Sequence, residues 1–423
     1  MTKSFAGSVA KKRPATPPVT KSNNKELVRC VLKDVTNLAS TWKDRLPRHS
    51  ATPPTTIRVA SDCAGYGSDV IALRLLGLHQ RVRFVMISET SKSKQLLHHA
   101  VSKACGVSAK HASLTTDLMK RDDLTAPGSD LYVAGYPCPS WSKLGKLKGA
   151  MDERGCVFLK GMKYIAAQRP RLVVLEQVSS MLHHRFAKVW GFVKKTLALL
   201  DYNVCFGVLN TKDHGIPQSR PRLYLLAVAR ESSAAAPLKL PPPRRGPPPP
   251  LQDFLDTGIL GKGNDSVDLE GYKAKLGKKM KQKFFVLDIG SSKRFQHAVE
   301  DLCPCLTKTR LQGRGYWVTK VNRRLLLSEA ARLQGVPRAV VLAMQNKANT
   351  KSLSAGVVQG AFGDAMSINV LCAVLGSGLR GANLIEQNAC SHPHWSVVPL
   401  SEASRLSDVL FQKHAVPTAG NTK

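Results

Sequence analysis

Residues Arg171 to Leu175 read Arg-Leu-Val-Val-Leu, a near-continuous apolar run. A strand with one wet face alternates apolar and polar residues. An unbroken run marks a strand covered on both faces, which requires a mostly parallel sheet with helices above and below. This run ends at Glu176. A second strand, Asp130 to Ala134, carries Leu131-Tyr132-Val133 and stops at Gly135 and Pro137, with Cys138 next. Parallel strands deliver their ends to one edge, so Glu176 and Cys138 arrive together where α/β sheets hold ligands. Pro137 restricts its own φ and biases Tyr136 toward extended geometry, so covalent stiffness sets the position of the thiol. A Cys so placed is either a buried structural thiol or a nucleophile. A carboxyl beside it in a partly dry pocket can stay protonated at neutral pH and donate that proton.

The flanking segments repeat the strand-then-ligand pattern. Ile57-Arg58-Val59-Ala60 alternates like a strand and leads through Ser61-Asp62-Cys63-Ala64 into Gly65-Tyr66-Gly67-Ser68, followed by a helix-like apolar run from Val70 to Leu76. Glycines there let backbone approach a nucleotide-like ligand, and the helix start presents free N–H groups. A strand from Arg83 to Ser88 ends at Glu89, either a solvent-facing acid or one suited to accept from both hydroxyls of a ribose. A helix from Ser91 to Cys105 and then Asp117 follow. Beyond Cys138, Lys143 to Arg154 is Gly- and Lys-rich and reads as a basic lid. Gly155 to Gln168 and Ser179 to Leu200 read as helices. Asn203–Leu209 and Arg222–Val228 read as paired strands, separated by a segment containing Gln218-Ser-Arg220-Pro-Arg222. Two Arg two residues apart on extended backbone point the same way, to grip phosphate or a base carbonyl or to form a solvated basic turn.

The chain has 423 residues, 43% of them hydrophobic, and a net charge of +34, which implies a polyanionic partner, most directly nucleic acid. Its ten Cys are scattered, with no pair of Cys-x-x-Cys motifs; Cys303-Pro-Cys305 is too close-spaced for an ordinary zinc pair and reads as incidental, so no metal is expected. The scatter suits free thiols in a reducing compartment. No apolar run approaches the ~18 residues of a membrane span. Residues 1–55 read as a disordered basic tail, with Lys11-Lys12-Arg13-Pro14 as a nuclear address, a DNA-binding arm or simply solvated charge; an organellar transit peptide is the alternative. Leu27 to Trp42 has the pattern of a short helix. A Pro-rich linker occupies residues 234–252, more a spacer than a ligand for a peptide-binding domain. Beyond it come many Lys and Arg interleaved with Phe284, Phe285, Tyr316 and Trp317, suited either to phosphate and base contact or to a solvated surface over a small core. Ser328 is the expected N-cap of a helix ended by Gly335 and Pro337. Gly360 to Met366 reads as a glycine turn entering an apolar helix, Ser367 to Leu375.

In this order the motifs resemble those of the C5-cytosine DNA methyltransferases, from about Ile57 to Gly376. The resemblance implies an α/β fold: a Rossmann-like S-adenosylmethionine-dependent methyltransferase sheet with a small basic target-recognition region. It implies a core over residues 56–233 and 324–378, a recognition region over 253–323 and a C-terminal extension over 379–423. It implies S-adenosyl-L-methionine bound by Gly65, Tyr66, Gly67, Glu89, Asp117, Pro137, Val157, Asp364 and Ala365. It further implies Cys138 as nucleophile at cytosine C6, Glu176 as proton donor at N3, Arg222 at O2, and Arg220 supporting the loop or a phosphate. The implied partner is double-stranded DNA with the target cytosine flipped out, met by a monomer in the nucleus or an organelle, without a membrane. Ser61, Cys63, Ser68, Pro139, Gln177 and Asp364 depart from the family pattern, which marks a divergent branch. Two other functions fit the residues. One is the family's tRNA cytosine branch; the other is a catalytically silent nucleic-acid scaffold.

Overall fold

The computed structural model describes residues 21–46, 48–50, 52–107, 112–115, 117–137, 153–261, 267–292, 296–313, 315–350, 353–387 and 405–413. Cys138, Pro139, most of the expected lid and Lys11 to Pro14 lie outside them.

Seven strands form the central sheet: β1 (Ile57–Asp62), β2 (Val82–Ser88), β3 (Ser113–Thr115), β4 (Leu131–Gly135), β5 (Leu172–Val178), β6 (Tyr202–Asn210) and β7 (Pro221–Ala229). Their order is β3-β2-β1-β4-β5-β7-β6. β1 to β5 are mutually parallel, and β7 runs antiparallel between β5 and β6. The strand order turns back between β1 and β4, the switch point at which open α/β sheets bind ligands. β5 is buried over Leu172–Gln177, as its unbroken apolar run requires.

Alternate residues of each strand feed two cores. One face packs on helices Ser68–Leu75, Lys92–Ala104 and Ile368–Gly381; the other packs on Glu153–Gln168 and Ala187–Leu199. The second face is also covered by a helix from Lys21 to Ser40, so the stretch expected as a disordered tail is folded over much of its length. Val28, Val31, Val35, Ala39 and Trp42 are all buried. Apolar residues at helical spacing are enough to dock it, because burying each large side chain contributes about 1.5–3 kcal/mol. Trp42 Nε1 donates to the Leu199 carbonyl at 3.1 Å, and the Arg169 guanidinium lies 3.5 Å over the Trp42 ring while pairing with Glu231.

The expected spacer at 234–252 is pinned along its length. The Ala234 N–H donates to Gly381 O at 2.8 Å, Ser377 Oγ to Lys239 O at 2.6 Å, and the Arg244 N–H to Asp213 O at 2.7 Å. Extended Pro-rich backbone has few donors of its own, so it can lie along the core as a strap. The single helix expected from Ser179 to Leu200 is instead two 3-10 turns, Ser179–Leu182 and His184–Phe186, ahead of Ala187–Leu199. The break at His183 lets Met181 and Phe186 both reach the core.

A smaller sheet, β8 (Val286–Asp288), β9 (Tyr316–Val318) and β10 (Arg323–Arg324), has the order β10-β9-β8 and is antiparallel. The aromatics considered for base contact, Phe284, Phe285, Tyr316 and Trp317, are all buried there, so they form core and leave the cations on its surface. The helix Leu327–Leu333 begins two residues earlier than a Ser328 cap requires. Glu329, itself paired with Arg323 at 2.7 Å, takes the Leu326 N–H, and Ser328 Oγ donates to Asp256 instead. The Gly360–Met366 segment is mostly helical within Ala355–Asp364. A Cβ on Gly363 would stand 2.2 Å from Lys308 N, so its glycines serve close packing and the turn is displaced to Ala365–Ser367.

Candidate active site

The carboxyl ends of β1, β2, β4 and β5 converge on one edge, and the expected site residues gather there. After β1 the backbone turns through Cys63 (φ 54°), Gly65 (φ 59°) and Gly67 (φ 94°) before entering the helix Ser68–Leu75. Glycine meets this left-handed geometry without steric cost; the Cys63 side chain meets it with strain. Glu89, at the tip of β2, closes the turn: one carboxylate oxygen accepts the Gly65 N–H at 3.0 Å and the other the Ser91 N–H at 2.8 Å. Asp117 lies just past β3 and accepts the Met119 N–H at 3.0 Å. Tyr66 points inward, buried edge-on against Phe362, so only its backbone belongs to the turn. Pro137 ends the described part of β4's exit, and Val157 is half-buried on the helix Glu153–Gln168. Asp364 pairs with Lys94 at 2.9 Å, which ties it to the helix that follows Glu89. Ala365 gives its carbonyl to Arg220 at 2.7 Å. This donor set, an open glycine turn with a carboxylate at each of two adjacent strand tips, fits a nucleoside: Glu89 for a ribose diol, Asp117 for an exocyclic amine.

Beneath the turn lies a charge network absent from the sequence reading. Asp62, at the end of β1, takes two bonds from Arg121, at 2.6 and 2.9 Å, and one from the Tyr132 hydroxyl at 2.7 Å. Arg121 also pairs with Asp123 at 2.7 Å, and Lys160 with Asp123 at 2.9 Å. The Tyr132 and Tyr136 hydroxyls meet at 2.8 Å, so the network extends to the residue before Pro137. Gly161 leaves room for the Tyr136 phenol, which a Cβ would strike at 1.7 Å. Gln177 Nε2 donates to the Tyr136 carbonyl at 3.4 Å, a further hold on the peptide leading to Cys138. An acid opening a glycine turn, with an Arg four residues past Asp117, was the available signal.

Glu176 and Arg222 meet at the same edge of the sheet. Register pairs Glu176 with Gly135 on β4 and with Tyr224 on β7, two residues beyond Arg222. Arg222 Nε lies 3.2 Å from Glu176 Oε1. Burial pushes the Glu176 carboxyl above the ordinary carboxylate range, and Arg222 and Arg220 oppose the shift without cancelling it. A carboxyl so raised keeps its proton to higher pH than a free one and can act as a proton donor.

Arg220 does something different from Arg222. Its guanidinium donates to the carbonyls of Leu306 (2.7 Å), Gly363 (3.1 Å) and Ala365 (2.7 Å). It is buried and clamps the Gly363–Ala365 segment to Leu306. Gln218 makes a parallel clamp, donating to Leu333 O at 2.6 Å and accepting from Leu306 N at 3.2 Å. The two Arg therefore face different oxygens, Arg220 the three carbonyls and Arg222 the Glu176 carboxylate. Cys305, read as incidental, sits between them, its Sγ 3.3 Å from Arg220 Nη1 and 3.6 Å from Arg222 Nη2. Burial raises this thiol, but the two guanidinium groups outweigh burial and hold it below its ordinary value.

The family model described as C-5 cytosine-specific DNA methylase matches residues 63–376. The chain is 31% identical over 159 residues to the type II methyltransferase M.SsoII of Shigella sonnei, covering 37% of this chain and 40% of that protein. It is 36% identical over 110 residues to M.HhaI of Haemophilus parahaemolyticus, covering 26% of this chain and 34% of that protein. These matches thus span under half the length of the relatives. Among solved structures, S. pombe Dnmt2 methyltransferase superposes with a TM-score of 0.52 at 17% identity, covering 77% of this chain and 99% of that one, a likeness of fold.

Proposed function

The chain belongs to the C-5 cytosine-specific DNA methylase family, whose cofactor is S-adenosylmethionine, and from that premise we propose that it methylates C5 of cytosine in DNA with Cys138 as nucleophile. The observation that carries this reading is the Glu176–Arg222 pair at 3.2 Å, held beside Gly135 at the strand end that leads to Cys138. Bound at the Gly65–Gly67 turn, S-adenosylmethionine supplies an electrophilic methyl group. Cytosine C5 is a poor nucleophile, and the chain's residues make it a better one. The Cys138 thiolate adds to C6, forming an S–C6 bond and giving C5 enamine character. Glu176 donates its proton at N3, and Arg222 steadies O2, which relieves the charge that builds on the ring. C5 takes the methyl group and gives up its hydrogen as a proton to water, the S–C6 bond breaks to return the thiolate, and N3 returns its proton to Glu176. The target atom is inaccessible in a duplex, so the base must leave the stack.

DNA containing 5-fluorocytosine is the test, because its C5 carries no removable proton and the adduct persists. A covalent complex formed by the parent protein and absent from Cys138→Ser supports the mechanism; equal methylation by Cys138→Ser refutes it. Labelled methyl transfer to duplex DNA against total tRNA tests the substrate, and label entering tRNA alone would overturn the assignment to DNA.

A further inference from the structure

β6 is an edge strand, and its outer half is not covered by the helix beside it. Phe206 and Val208, on the face toward Ala187–Leu199, are 41% and 47% exposed, and Leu182 at the carboxyl edge is 39% exposed. Phe206 meets Trp190 edge-on, with ring centroids 4.8 Å apart. Monomeric proteins seldom leave such a group uncovered without a partner. The charge around it is of one sign. From Ser179 through Leu200 there is no Asp or Glu, while Arg185, Lys188, Lys194 and Lys195 are all exposed, with the exposed His183 and His184 beside them. β6 itself carries no acid, and Asp201 at its far end is paired with Arg230 at 2.7 Å. The patch adjoins the reacting pocket: Leu209, next to Val208, is in register with Arg222.

We infer that the Trp190–Phe206–Val208 surface, with Lys194 one helical turn beyond Trp190 on the same side, binds an unpaired stretch of polynucleotide running away from the target cytosine. Stackable rings with cations and no acids are what single strands recognise: bases stack on the rings and phosphates meet the cations. An edge strand could instead pair with a second copy of this chain, but that would bring two like-charged rims together. The inference rests on the proposed action on nucleic acid, yet its test does not require methyl transfer.

The full chain would be titrated with a fluorescein-labelled 20-nucleotide single strand and with a blunt duplex, by anisotropy at several salt concentrations. Phe206→Ala with Val208→Ser is expected to weaken single-strand binding about tenfold, within the ~1–3 kcal/mol per base of aromatic stacking, and to leave duplex binding within about twofold. Lys194→Glu is expected to flatten the salt slope for the single strand by about 0.7, the contribution of one phosphate. All three positions are solvent-facing, and unchanged thermal unfolding establishes that the variants fold. Unchanged single-strand affinity and slope would overturn the inference. So would a parent dimer in sedimentation that Phe206→Ala converts to monomer. If no polymer is methylated but Phe206→Ala still weakens the single strand, the functional reading fails and this one stands.

Discussion

Replacing Arg121 with Met tests the network beneath the Gly65–Gly67 turn. Arg121 is buried and makes three charge-assisted bonds, two to Asp62 and one to Asp123, and its guanidinium lies 4.8 Å over the Tyr164 ring. Removing it leaves two buried carboxylates. Removing one member of a buried pair costs about 3–5 kcal/mol. Each carboxylate keeps one partner, Tyr132 for Asp62 and Lys160 for Asp123, which argues for the lower figure of about 3 kcal/mol. At roughly 2 °C per kcal/mol for a large domain, that is a fall in Tm of about 6 °C. Asp62 also leads into Cys63 and Gly65, so the loss should reach function. Cofactor affinity by calorimetry should fall about tenfold, or about 1.4 kcal/mol. Urea unfolding of Arg121→Met beside Asp62→Asn with Arg121→Met separates the causes, because the double variant removes one orphaned charge and should recover part of the stability. Destabilisation under about 1 kcal/mol, or a double variant less stable than Arg121→Met alone, would refute the reasoning.

Glu176→Gln should lower kcat by about 10²–10⁴ and abolish the pH limb that Glu176 produces. The active form is protonated and burial raises its pKa, so the parent's activity should persist above the ordinary carboxylate range and decline as pH rises through the raised value. Gly363→Ala should destabilise the fold by at least about 2 kcal/mol in chemical denaturation, because its Cβ would stand 2.2 Å from Lys308 N and the contact is backbone. Glu231 is held down to about 2: burial raises its pKa, but Arg169 and backbone N–H bonds outweigh it. A depressed pKa stabilises the fold above the unfolded value and is lost below it. The docking of Lys21–Ser40 through Arg169 and Trp42 should therefore weaken as pH falls from about 4.5 toward 2, followed by hydrogen exchange; Arg169→Met should remove that dependence.

Patterns of local sequence determined more here than tertiary contacts did. The apolar run of β5, the glycine turn after β1 and the order of strand-end residues follow from periodicity and backbone stereochemistry, properties each segment carries alone. They were enough to bring Gly65, Glu89, Asp117 and Glu176 to one edge. Partner choice was not local. Arg220 and Arg222 are two residues apart and equally able to bind phosphate, yet one clamps three carbonyls and the other faces Glu176. Asp62 meets Arg121 across 59 residues, and Cys305 reaches Arg220 across 85. Phe284, Phe285, Tyr316 and Trp317 read equally well as base contacts or core, and only packing buried them. A side chain's chemistry is written in its own residue, but which group it meets, and whether water remains between them, is decided by segments far along the chain.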